Sequence, residues 1–292
     1  MNVLMASLKL MRPTQWIKNG FVFMPLVFSG RLFAADDEIK VVCMFAAFCL
    51  ASSATYVLND YMDLEKDRVH PTKRKRPLAS GEISTSAAMM LIGVLMGLLV
   101  VVALAAGLPK TAFAVLGAYL LLHVFYSVKL KDVVILDVLA IAAGFLLRVL
   151  GGAAVISVGV SSWLILCTFS ISLVLALGKR RHEAVILCDD AVCHRPVLEN
   201  YNVMLLDQLL QVSTTSTFIF YCLYSVRGYH ETLLSEKMMF TIPMVTYGIF
   251  RYMYLIYHKE DGGSPTAMLL TDPPLLICTI LWLTTCVIII YH

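Results

Sequence analysis

Long apolar runs broken by short charged ones set the rhythm of this chain. Nine such runs fall at about 19–35, 40–60, 84–107, 111–127, 133–156, 161–178, 203–225, 238–257 and 270–291. A helix that crosses a bilayer needs about 20 mostly apolar residues. The pattern therefore predicts an all-α fold, a polytopic membrane helical bundle of about nine transmembrane helices around a cytoplasm-facing cavity. Residues 1–18 differ, because they mix apolar positions with Lys9, Arg12 and Lys18. That is the pattern of an amphipathic interfacial segment, leading into a single transmembrane domain over 19–292.

Composition removes the soluble alternatives. Of 292 residues, 59% are apolar and 15% charged, against about 45–50% and about 25% in an ordinary globular protein. The placement of charge then orients the bundle. With the N-terminus cytoplasmic, 16 of the 23 Lys and Arg fall on the cytoplasmic side and five outside, while Arg148 and Arg251 lie within spans; this is the bias that sets membrane topology. No soluble surface offers a basic patch interleaved with aromatics, so a nucleic-acid partner is excluded. Among the eight cysteines, Cys188 and Cys193 stand near His182 and His194, at a spacing that matches no zinc signature.

Polar chemistry collects at helix ends. The second run closes on Asn59-Asp60-Tyr61-Met62-Asp63-Leu64-Glu65-Lys66-Asp67. At about 100° per residue, continued helix sets Asp67 roughly 20°, Asp63 roughly 60° and Asn59 roughly 100° from Asp60. Three carboxylates and an amide on one side suit Mg²⁺, which takes oxygen ligands and bridges carboxylates to substrate phosphates. The plain alternative is an acidic helix end neutralised by the next residues, Lys66, Arg68, His70, Lys73, Arg74, Lys75 and Arg76. A second cluster holds Tyr126, Lys129, Lys131, Asp132 and Asp137, and Arg148 follows on the same face as Asp137. An intramembrane arginine either meets an anionic group or ties helices together. A third set, Lys179-Arg180-Arg181-His182-Glu183 with His194-Arg195-Pro196, reads as a loop after the sixth helix. No Ser/His/Asp or Cys/His arrangement supports covalent catalysis.

Asn59-Asp60-x-x-Asp63-x-x-x-Asp67 resembles the first Asp-rich motif of the UbiA-type intramembrane prenyltransferase superfamily. The segments Arg12-Pro13-Thr14-Gln15-Trp16-Ile17-Lys18-Asn19, RPLASG at 76–81, Gly144–Arg148, Gly178–Glu183, HRPVL at 194–198, Phe250-Arg251-Tyr252 and Gly262-Gly263-Ser264-Pro265 together resemble its decaprenyl-phosphate phosphoribosyltransferase branch. The resemblance covers essentially the whole chain. Asp132 and Asp137 depart from the usual second Asp-x-x-x-Asp motif, which favours a donor other than a prenyl diphosphate.

The resemblance implies a Mg²⁺-dependent transfer of a 5-phosphoribosyl group from phosphoribosyl pyrophosphate to a polyprenyl phosphate, releasing pyrophosphate. It also implies a place in the inner (plasma) membrane with the active site facing the cytoplasm, in the making of a cell-wall arabinan precursor; it leaves a homo-oligomer open. On this reading Asp60, Asp63 and Asp67, with Asn59, take the metal and pyrophosphate. Lys73, Arg74, Tyr126, Lys129 and Lys131 take donor phosphates, Lys18, Lys179 and Arg180 the 5-phosphate or the acceptor phosphate, and Asp137 and Arg148 join the substrate-binding set. The acceptor phosphate is already ionised at neutral pH, so no general base is required. Two rivals stand beside it: a prenyltransferase joining a polyprenyl diphosphate to an aromatic or other small acceptor, and a transporter of a phosphorylated metabolite.

Overall fold

Every regular element among the described residues is helical. The computed structural model describes residues 3–71, 73–186, 200–231, 236–258 and 265–292. Cys188, Cys193, the 194–198 segment, Lys259 and Gly262–Ser264 lie outside the described residues. The α-helices are α1 (Val3–Met11), α2 (Met24–Phe28), α3 (Ala35–Met62), α4 (Leu64–Val69), α5 (Thr85–Ala105), α6 (Lys110–Val128) and α7 (Leu136–Val155). They continue as α8 (Ser162–Ile186), α9 (Val203–Glu231), α10 (Ile242–His258), α11 (Pro265–Thr271) and α12 (Pro273–Tyr291). Seven of them, α3, α5, α6, α7, α8, α9 and α12, are long and apolar enough to cross a membrane.

Helix ends follow local chemistry. Ser84 caps α5, its hydroxyl accepting the Ala87 N–H at 3.2 Å, as an N-cap serine does. At the other end Gly107 takes φ 59°, and the N–H groups of Leu108 and Gly107 reach the carbonyls of Ala103 and Leu104, the pattern of a Schellman close. The α8 helix runs to Ile186, so Lys179–Glu183 are helical rather than in a loop. Lys179 and Arg180 both pair with Glu183 one turn on, which lets charged residues continue the helix.

The apolar run expected as a helix over 19–35 takes another form. A 3₁₀ helix covers Pro13–Phe23, α2 follows, and the chain turns at Gly30 with φ 74°. Residues three apart eclipse in a 3₁₀ helix, so Trp16, Asn19 and Val22 share one edge. Trp16 donates to Ser53 at 3.0 Å, Asn19 to Ser52 and Cys49 at 3.3 Å, and Val22 is fully buried. The polar partners on α3 thus select the tighter winding. The run expected over 238–257 likewise begins as 3₁₀ helix (Glu236–Thr241) before α10.

The chain divides into two compact units. The first comprises Met1–Met24, Phe33–Val133 and Leu147–Ser157. In it α3 packs against α5, α6, α1 and the 3₁₀ segment, and Ala47, Ala51 and Ala54 are buried along α3, where small residues permit close approach of helices. Gly151 serves the same end, since an added Cβ would lie 2.6 Å from Phe48 Cε2. The second unit comprises Pro25–Leu32, Val134–Leu146 and Val158–His292. There α8 pairs with α9, and Leu177, Leu206, Leu210, Leu255 and Ile256 form a core. Apolar residues also cover outer faces: Val101 and Leu104 on α5 and Ile277, Ile280 and Leu281 on α12 are more than half exposed. Faces of this kind suit lipid rather than water.

Candidate active site

The Asp-rich stretch lies in the first unit. Helix α3 ends at Met62, Asp63 takes ψ 5°, and α4 resumes at Leu64. The chain bends here, while the N–H groups of Asp63 and Asp67 still reach the carbonyls of Asn59 and Asp63. Asp60 and Asp67 stay together, 2% and 3% exposed. Arg76 bridges them, with Nη1 3.0 Å from Asp60 Oδ1 and 2.6 Å from Asp67 Oδ2. Arg12 adds a second guanidinium to Asp60 at 2.5 Å and lies over the Tyr56 ring at 5.1 Å. Asp63 instead meets Lys131, whose Nζ donates to Oδ1 at 2.6 Å, while Asn59 donates to its Oδ2 at 3.2 Å.

Three carboxylates therefore carry three protein cations. Among the described residues no three His, Cys, Asp or Glu side chains converge as a ready metal cage. The donor set still fits a hard cation, because carboxylate and amide oxygens are what Mg²⁺ takes. Burial pushes the Asp67 carboxyl up from the ordinary carboxylate range, and Arg76 opposes that rise. Breaking such a buried pair costs about 3–5 kcal/mol, so the cations and acids hold each other in place.

Arg12 is also strained. Its backbone sits at φ 53° and ψ 61°, a left-handed conformation that costs a non-glycine residue about 1–2 kcal/mol. The turn aims the guanidinium at Asp60 between α1 and the 3₁₀ segment. Neither Arg12 nor Arg76 stands among the sequence-derived site residues. Arg76 does stand in the basic run that could neutralise the acidic helix end, and it does so here; nothing in composition or spacing marks Arg12, brought from 48 positions away.

The other expected site residues lie partly in the first unit and partly in the second. In the first unit Lys129 and Arg74 are exposed, and Lys18, Lys73 and Tyr126 are half-buried. Arg148 is buried in α7, donating to Asn19 Oδ1 at 2.7 Å and to the Tyr119 hydroxyl at 2.9 Å. These contacts tie α7 to the 3₁₀ segment and to α6. In the second unit Asp137 and Arg180 form a buried pair at 2.6 Å. Tyr201 donates to Asp137 at 2.8 Å and accepts the Ile135 N–H at 2.7 Å. Burial pushes its phenol up to about 12, so it stays a donor. Asp137 and Arg180 thus bind each other across α7 and α8, while Lys179 lies beside Glu183.

A paired acidic and basic group on an apolar helical scaffold has many owners, and the comparison with known proteins narrows it. Residues 22–270 match the model of the UbiA prenyltransferase family. The chain belongs to the UbiA prenyltransferase family. Within it, the chain is 32% identical to the decaprenyl-phosphate phosphoribosyltransferase of Mycolicibacterium smegmatis, over 97% of this chain and 92% of that one. It is 29% identical to the decaprenyl-phosphate phosphoribosyltransferase of Corynebacterium glutamicum, over 99% and 88%. A UbiA homolog from Archaeoglobus fulgidus bound to GPP and Mg²⁺ superposes with a TM-score of 0.73 at 16% identity, over 98% of this chain and all of that one. That likeness shows the UbiA fold. The protein is accordingly a multi-pass membrane transferase of the UbiA type.

Proposed function

We propose that this UbiA-type transferase moves a 5-phosphoribosyl group from phosphoribosyl pyrophosphate to a decaprenyl-type polyprenyl phosphate, releasing pyrophosphate. The observation that carries the reading is the even pairing of Asp60, Asp63 and Asp67 with Arg12, Arg76 and Lys131, within a chain similar over nearly its whole length to two decaprenyl-phosphate phosphoribosyltransferases. A polyanion accompanied by a divalent cation offers such a set new partners of the right sign, the metal for the carboxylates and the phosphates for the cations.

In this reading Asp60, Asp63 and Asp67, with Asn59, would hold Mg²⁺ once their cations turn to the substrate's phosphates, and the metal would neutralise charge on the leaving pyrophosphate. Arg12, Arg76 and Lys131 turn from carboxylate to phosphate oxygens, where arginine grips two oxygens at once. Lys73, Arg74, Tyr126 and Lys129 extend the phosphate-binding group, and Lys18 serves the acceptor side. Bond breaking at ribose C1 builds oxocarbenium-like charge, as in other glycosyl transfers. The acceptor phosphate is an anion already, so positioning and charge stabilisation carry the reaction. We assign the Asp137–Arg180 pair and Arg148 to holding helices, with Lys179 beside Glu183 kept as a candidate for a phosphate. The site faces the cytoplasm of the inner membrane in this reading, following the placement of Lys and Arg.

The test supplies purified protein and Mg²⁺ with labelled phosphoribosyl pyrophosphate plus decaprenyl phosphate, and in parallel with labelled polyprenyl diphosphate plus 4-hydroxybenzoate. Label is expected in lipid from the first mixture only. Product from the second alone transfers the assignment to a prenyl-diphosphate-using enzyme.

A further inference from the structure

Helix α1 belongs to none of the seven long helices, yet it carries unusual exposure. Ala6 and Leu10 are buried against the first unit, while Leu4, Met5 and Leu8 are 67%, 56% and 44% exposed. Residues four apart share a helix face, so Leu4 lines up with Leu8, and Met5 with Lys9. Where α1 meets the 3₁₀ segment, an open cavity of about 420 Å³ is lined by Met5, Leu8, Lys9, Arg12, Pro13, Thr14 and Gln15. That size lies in the range of about 300–1,000 Å³ usual for small-molecule sites. Its lining is mainly apolar, with a lysine, an arginine and two uncharged polar side chains.

Arg12 is the informative wall. Its backbone is left-handed, and non-glycine residues keep such conformations chiefly where function requires them. The same residue that lines the cavity places Nη2 on Asp60. The cavity and the carboxylate group therefore share one side chain. An open apolar cavity with Lys9 and Arg12 in its lining, on a helix suited to the membrane interface, has the chemistry of a lipid phosphate.

We propose that this cavity seats the phosphate head and first isoprene units of the acceptor lipid, with Lys9 on the phosphate, Met5, Leu8 and Pro13 along the chain, and Arg12 joining acceptor to donor site. The inference rests on the phosphoribosyl-transfer reading for the name of the acceptor. Its geometry is tested separately.

Two variants of the full-length protein in detergent address it. Leu8→Trp fills the cavity, and Lys9→Glu reverses the charge there. Native mass spectrometry measures retention of decaprenyl phosphate against phosphatidylglycerol. Loss of one charge-assisted contact corresponds to about a tenfold fall in affinity. Each variant is expected to lower decaprenyl phosphate retention and raise its KM about tenfold, leaving Mn²⁺–pyrophosphate binding unchanged; Lys9→Arg is expected to restore both. Unchanged retention in both variants overturns the proposal, as does equal retention of phosphatidylglycerol by the wild type, which makes the face a bulk-lipid contact. Should a variant unfold, Met5→Trp fills the same cavity from the neighbouring position and answers the question. A wild type that retains the lipid here yet leaves phosphoribosyl pyrophosphate untouched refutes the transfer reading and spares the site.

Discussion

Replacing Arg76 by methionine separates the two tasks assigned to that residue, neutralising acids at rest and gripping phosphate in use. The change removes the one cation shared by Asp60 and Asp67, whose side chains are 2% and 4% exposed. Arg12 still covers Asp60, so about one buried carboxylate loses its partner. Breaking a buried pair costs about 3–5 kcal/mol, and the 27% exposure of Arg76 favours the lower end, about 3 kcal/mol. A divalent cation that fills the vacated place recovers that energy, and at about 1.4 kcal/mol per factor of ten the variant binds metal alone about 100-fold more tightly. The proton competes for the same place. Burial already raises the Asp67 carboxyl and Arg76 restrains it, so in the variant the carboxyl rises further. The gain in metal affinity is then full at high pH and lost as pH falls through the raised value. Electron paramagnetic resonance of Mn²⁺ titrated into purified wild type and variant, with and without pyrophosphate, at alkaline and mildly acidic pH, reads this directly. An affinity for Mn²⁺ alone in the variant that stays within about threefold of wild type at alkaline pH refutes the reasoning.

Three further outcomes follow from the same contacts. Asp60→Asn or Asp67→Asn is expected to lower turnover at least about 100-fold, the scale of losing one preorganised charge at the reacting group, with helical content intact by circular dichroism; near-normal turnover in both removes them from the site. Arg180→Leu strands Asp137 inside the second unit and is expected to cost about 3–5 kcal/mol in a detergent denaturation series, whereas adding Asp137→Leu restores at least half; no recovery in the double variant denies the pairing. Gly151→Ala places a methyl group 2.6 Å from Phe48 Cε2 and is expected to cost about 1–3 kcal/mol, seen as a lower midpoint in the same series.

The long helices were readable because lipid imposes a length on apolar runs, and α5, α6 and α9 begin within a residue or so of where those runs begin. Other features depended on tertiary partners that composition does not register. The 3₁₀ winding of Pro13–Phe23 answers to Ser52 and Ser53, more than thirty positions away. The reach of α8 past Gly178 depends on Lys179 and Arg180 meeting Glu183. In the site, the acids were legible as a spaced triplet, but the bend at Asp63 was not, because a single ψ of 5° has no side-chain signature. Arg76 was legible as part of the basic run that could neutralise the acidic helix end, whereas Arg12 looked like one more basic residue until the fold laid it on Asp60.

The buried Arg148 has a consequence for how the protein is made. An arginine at the centre of a membrane helix raises the free energy of insertion by roughly 2.5–3.5 kcal/mol, a burden α7 meets at the moment it leaves the ribosome. Two of its partners, Asn19 and Tyr119, precede it in the chain. At roughly 5–20 residues per second, the 29 residues between Tyr119 and Arg148 give α6 about one to six seconds' lead. The order of synthesis thus delivers the receptor for the charge before the charge itself, and a circular permutation that reversed that order would ask α7 to enter the bilayer unaccompanied.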